Sequence, residues 1–124
     1  MFSPGQIAIS ADLGSGVLLI DAKGFLSEQQ LVSAAGQLRD CDRLIRVRHG
    51  FVKVKLLAIS GIVQSVLAMR RAESIVGDLA RPEDRIAIVV SSTLLRMQLG
   101  RLFKTTGMKA FTREGEADAW LHST

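Results

Sequence analysis

The first residues alternate between apolar and polar. In "QIAISADL", Ile7, Ile9, Ala11 and Leu13 fall on one face, and Ala8, Ser10 and Asp12 on the other. A period of two marks a half-buried strand at a sheet edge. The turn signal "GSG" and the apolar run "VLLID" come next, which predicts an antiparallel hairpin. The period then lengthens. Leu31, Ala34, Leu38, Cys41 and Ile45 recur at steps of three and four, which predicts a helix over 28–48. Ser27 and Gln30 have the spacing of a capping box, and Leu26 and Leu31 that of a hydrophobic staple. Gly50 is placed to close the helix.

"VKVKLLAIS" reads as the next strand, broken by Gly61. Ile62, Val66, Met69, Val76 and Leu79 then predict a helix over 62–80, which Pro82 ends. "RIAIVV" is a strand, 93–106 a helix closed by Gly107, and "MKAF" a short strand. Thr112 is placed to cap a last helix. Glu114, Glu116 and Asp118 stand near its positive end, and Ala117, Trp120 and Leu121 are placed to face inward. The order β-β-α-β-α-β-α-β-α predicts one α/β domain over 1–124. Its sheet is five-stranded, mixed and mostly parallel, with an N-terminal hairpin.

"VLLI", "LLAI" and "IAIVV" lack polar alternation, so both faces of the central strands should be covered. If each strand lies beside its predecessor, right-handed crossovers put the helices on one face. A second copy of the chain is then expected to cover the other face, which makes the protein a homodimer.

Composition narrows the class. The chain has 124 residues, 48% of them apolar, which is enough for one unstapled core. Cys41 is the single cysteine, so no internal disulfide forms. No apolar run approaches the ~18 residues of a membrane span, and no signal-peptide pattern opens the chain. A cytoplasmic location is expected. A net charge of +4 and a pI near 9.8 raise the question of anionic partners. Arg43, Arg46, Arg48, Lys53 and Lys55 lie close together. The arginines fall where cations complement a helix macrodipole, and the lysines share one face of a strand, so the group reads as solvated surface. There is no Tyr and no aromatic RNA-binding pair, so nucleic acid is not expected as a partner.

Ser91 and Ser92 stand at a strand-to-helix junction, where a nucleophile or a phosphate cradle could sit. A nucleophilic serine needs a base and a group to orient it. His49 and His122 are not tied by motif to a carboxylate, and no G-x-S-x-G elbow is present. The serines read as helix caps, and no catalytic residue is assigned. No Gly-rich phosphate loop occurs, and Cys41, His49 and His122 are scattered, so neither a cofactor nor a metal site is expected. The 93–106 helix holds more interest. Leu95, Leu99, Leu102 and Phe103 form its core stripe, whereas Leu94 and Met97 point elsewhere, beside Arg101 and Lys104. The 62–80 helix also carries surplus apolar residues. The predicted ligand-binding set is therefore Leu67, Met69, Leu94 and Met97 as apolar lining, with Arg101 and Lys104 at the mouth. The expected ligand is a small apolar or amphipathic anion, with peripheral contact to a membrane surface.

The tail "MKAFTREGEADAWLHS" resembles the ending of SpoIIAA-like, STAS-related proteins, and "RPEDRIAIVVSS" resembles the strand before it. "AKGFLSEQQL", a strand, a glycine and a helix opened by serine, is similar to the start of that family. The resemblance implies a single (βα)n superhelical domain related to bacterial anti-sigma-factor antagonists and, more remotely, to the CRAL-TRIO lipid-binding fold. It implies a non-enzymatic, homodimeric protein that binds a small ligand or lipid. The alternative it offers is a regulatory protein-interaction domain. The antagonists carry an Asp-Ser-[Ser/Thr]-Gly phosphorylation motif after the third strand. Here "LLAISGIVQSV" supplies Ser60 and Ser65 without the Asp, so the usual serine switch is not expected.

Overall fold

The alternating start pairs with the apolar run that follows it. In the computed structural model, β1 (Gln6–Asp12) and β2 (Val17–Leu26) form an antiparallel hairpin with Ile9 opposite Ile20. Asp12 closes the turn: its carboxylate accepts from Gly14 N at 3.0 Å, and its carbonyl accepts from Gly16 N at 2.9 Å. Gly16 has φ 76°, a left-handed conformation that glycine adopts without a Cβ penalty. The structure describes residues 5–63, 74, 78–79, 81–91, 93–94, 96–97 and 107–123, with the side chains of 25 and 59–63 outside that description.

Helix α1 (Glu28–His49) begins as its sequence predicts. Ser27 Oγ accepts from Gln30 N, and the Gln30 side chain accepts from Ser27 N. Leu26 and Leu31 are buried in one cluster, completing the staple. Gly50 ends the helix at φ 79°. Three parallel strands complete the sheet: β3 (Lys53–Val63), β4 (Arg85–Val89) and β5 (Met108–Phe111), in the order β1-β2-β3-β4-β5. Helix α2 (Glu114–Leu121) follows β5.

The core has two sides. On the first, Leu18, Ile20 and Val54 pack with Ile45 of α1, and Ile86, Ile88 and Val90 continue the apolar surface across β4. On the second, Ala87 and Val89 pack with Phe111 and with Ala117 and Leu121 of α2. Alternate residues of β4 thus serve opposite layers, as the unbroken apolar run requires.

Three expectations are corrected. Strand β3 does not stop at Gly61 but runs to Val63, so Ile62 belongs to a strand rather than a helix. Gly61 lies opposite Gly24, and the two glycines let the ladder continue past a register shift at Asp21/Lys23. Thr112 does not cap α2; the N-cap is Arg113, with no side-chain hydrogen bond. The helices do not share one face, because α2 covers the second. The crossover rule binds a helix that joins two parallel strands, and α2 comes after the last strand of the described sheet. Beyond it on that face, among the described residues of the hairpin, Val17 and Leu19 are half-buried beside Ser10 and Asp12.

Candidate functional site

Charged groups concentrate where β3 and β4 begin. Asp84 is the buried charged residue of the described core. Its carboxylate accepts from Arg46 Nη1 at 3.1 Å, Arg46 Nη2 at 2.7 Å, Val52 N at 3.0 Å and Arg81 N at 3.0 Å. Arg46 also donates to Asp42, one helical turn back, at 3.0 Å, and lies 3.5 Å from Glu83. Its hydrogen bonds to the Asp84 carboxylate outweigh burial and hold the Arg46 guanidinium well above its usual pKa. With both carboxylate oxygens occupied, this cluster is a clamp between α1 and the start of β4, not a reactive site. Nothing local in the sequence joins Arg46 to a loop aspartate 38 positions on.

The predicted basic group is therefore not one surface. Arg46 is consumed by the clamp. Lys55 lies on the second face, 2.5 Å from Glu114 and 2.8 Å from Asp118. Burial alone would lower its pKa, but the hydrogen bonds to the two carboxylates prevail and raise it. Lys53 stands over the Phe51 ring at 5.5 Å, while Arg43 and Arg48 remain exposed on α1.

Both histidines stand near this same end of the sheet. His49 Nε2 donates to the Leu13 carbonyl at 2.6 Å. His122 closes α2 beside Arg85, whose Nη1 donates to Trp120 O and Ser123 O at 2.7 and 2.6 Å. Ser91 follows the other end of β4, a strand of five residues, or about 16 Å. The arrangement brings neither imidazole to Ser91. Ser92 and Ser65 lie outside the described residues. Ser60 and Gly61 are paired within β3 and do not open a helix.

At the C-terminal ends of the parallel strands the chemistry is different. Ligands of open α/β sheets gather at that end. Thr93, Leu94, Arg96 and Met97 are helical, and all are exposed, Leu94 at 67% and Met97 at 51%. The predicted surplus apolar pair is thus open to solvent with a cation between its members. Leu67, Met69, Arg101 and Lys104 lie outside the described residues. A depression lies elsewhere, along β1 and the first half of α1. Its volume is about 680 Å³, and amide and hydroxyl side chains of Gln6, Gln29, Gln30, Ser33 and Gln37 line it beside Ile7, Ala8 and Ala34. Among the described residues, no group of metal-ligating side chains comes together, and no helix is long and apolar enough to cross a membrane.

This topology, a hairpin feeding three parallel strands in sequential order, is that of the SpoIIAA-like fold. The chain is similar over 98% of its length, and over 98% of the other chain, to an uncharacterized protein of the DUF3478 family with a SpoIIAA-like fold from Shewanella loihica PV-4. The TM-score is 0.70 at 17% sequence identity, so the likeness is one of fold. No protein-family profile matches the chain, and no curated protein matches it.

Proposed function

We propose that the chain is a non-enzymatic binding module that docks reversibly on amphipathic anionic matter, a membrane surface rich in acidic lipid above all. The observation that carries this reading is the exposed Leu94–Arg96–Met97 segment just beyond the C-terminal end of β4. Two large apolar side chains left in water at a helix start are worth about 1.5–3 kcal/mol each when fully buried. A cation near an anionic surface adds about 1 kcal/mol. Partial insertion then yields a few kcal/mol, the regime in which one acyl chain gives marginal, reversible attachment. The excess of basic residues, sixteen against twelve acidic, favours the same surface.

Co-sedimentation with vesicles tests the reading. The protein should pellet with phosphatidylcholine vesicles that contain phosphatidylglycerol and stay in solution with phosphatidylcholine alone. The double substitution Leu94→Ser and Met97→Ser should abolish pelleting. A wild-type protein that ignores both kinds of vesicle refutes the proposal.

A further inference from the structure

We infer that the groove along β1 and α1 is a binding site for an uncharged, polyhydroxylated ligand, a short oligosaccharide. The chain has no asparagine and six glutamines, and four of these six amides, Gln6, Gln29, Gln30 and Gln37, line this one depression. Its volume of about 680 Å³ falls within the range of small-molecule sites. The groove reaches the C-terminal end of β2, where α1 begins. Open α/β sheets receive their ligands at that end of the strands.

One amide holds the groove's shape, and the others are open to a ligand. Gln30 Oε1 accepts from Ser27 N at 2.9 Å, and its Nε2 donates to the Gly5 carbonyl at 2.6 Å. These bonds tie the start of β1 to the first turn of α1 and use both ends of the Gln30 amide. The side chains of Gln6, Gln29, Ser33 and Gln37 hydrogen-bond to no other described residue. Gln29, Ser33 and Gln37 recur at steps of four along α1, so they form one row, about 12 Å long. Gln6 follows the anchored Gly5 and adds an amide from the strand.

The chemistry of this lining selects the ligand. Each glutamine amide offers an acceptor oxygen and two N–H donors, and the serine hydroxyl both gives and accepts. A row of such groups matches a row of hydroxyls, which also give and accept. An ion finds no spare counter-charge, because Asp21 and Lys23 at the margin lie 3.9 Å apart and balance each other. An acyl chain finds too little apolar surface, because Ile7, Ala8 and Ala34 are the apolar residues of the lining. Those three suit the C–H face of a sugar ring. A site built to hydrogen-bond hydroxyls discriminates strongly against ligands that lack them.

Nuclear magnetic resonance of the isotope-labelled protein tests the site, with maltotriose, cellotriose and chitotriose titrated in turn. At least one of them should shift the side-chain amide signals of Gln6, Gln29 and Gln37, while hexanoate and inorganic phosphate leave those signals in place. Gln29 and Gln37 are exposed, so the double substitution Gln29→Ala and Gln37→Ala should keep the fold. It should weaken sugar binding by about tenfold, as the loss of two hydrogen bonds does. Sugars that move none of these signals overturn the inference. So does binding that survives the double substitution, or a groove that takes hexanoate or phosphate instead. Vesicles of phosphatidylcholine with digalactosyldiacylglycerol separate two sources of the same chemistry, and the Leu94→Ser, Met97→Ser protein is used so that the helix start plays no part. Retention on them assigns a glycolipid headgroup, and sugar binding without retention assigns a free oligosaccharide.

Discussion

Where the parallel strands begin, charged side chains meet one another; where they end, the described ones meet water. At the first end Arg46, Asp42, Glu83 and Asp84 close on themselves, and Arg85 caps the carbonyl end of α2. At the second, Arg96 stands exposed between Leu94 and Met97. Both ends hold arginine, yet only one has its partners built into the fold. A buried cation whose hydrogen bonds are filled by protein is committed to stability. An exposed cation beside apolar side chains has its binding energy still unspent. Substitutions at the first end should therefore move stability, and substitutions at the second should move binding alone.

The largest effect is expected from Asp84→Ala. It removes two acceptors of Arg46 and leaves the Val52 N–H without its carboxylate. Breaking a buried, hydrogen-bonded pair by removing one partner costs about 3–5 kcal/mol. Urea unfolding followed by circular dichroism measures it, and a loss below 1 kcal/mol would reduce the clamp to an ordinary surface pair. Gly107→Ala comes next. Gly107 has φ 90°, and a Cβ there would run into the Asp84 carbonyl. Strain of this kind costs about 1–3 kcal/mol, and the melting temperature should fall accordingly.

Lys55→Met is expected to cost less, about 1 kcal/mol, because Glu114 and Asp118 are each half-exposed and screened by solvent. The pH dependence has a definite sign. The lysine's folded pKa is raised above its ordinary 10.5. Its stabilising contribution is therefore complete below that value and is lost as pH rises through the folded one. The gap between wild type and Lys55→Met should be constant near neutrality and shrink in strong alkali. A gap that widens there would contradict the assignment of Lys55 to these carboxylates.

Local signals in the sequence translated directly. Ser27 and Gln30 are three residues apart, so their reciprocal bonds follow from spacing alone. The edge strand and its partner likewise follow from alternation and a glycine turn. What escaped were pairings set by distance. Gly61 looks like a breaker until Gly24 is seen across from it. Asp84 looks like a loop residue in "RPEDR" until α1 brings Arg46 over it. The surplus apolar pair Leu94 and Met97 was legible from helical spacing, because exposure on a helix is a local property. The edge groove was not, since its lining comes from both the hairpin and α1.

The smallest expected change in stability belongs to the residues expected to matter most for binding. Leu94 and Met97 are exposed, so replacing both with serine removes little buried surface. Surface substitutions of this kind usually stay within about 0.5 kcal/mol. The unfolding midpoint should therefore match that of the wild type, while retention on acidic vesicles disappears. Asp84→Ala should do the reverse: a protein much less stable, yet still retained on acidic vesicles at a temperature where it remains folded. The two variants together separate the ends of the sheet. If Leu94→Ser and Met97→Ser lower stability by as much as Asp84→Ala does, the pair is part of the core, and no free surface exists there to bind lipid.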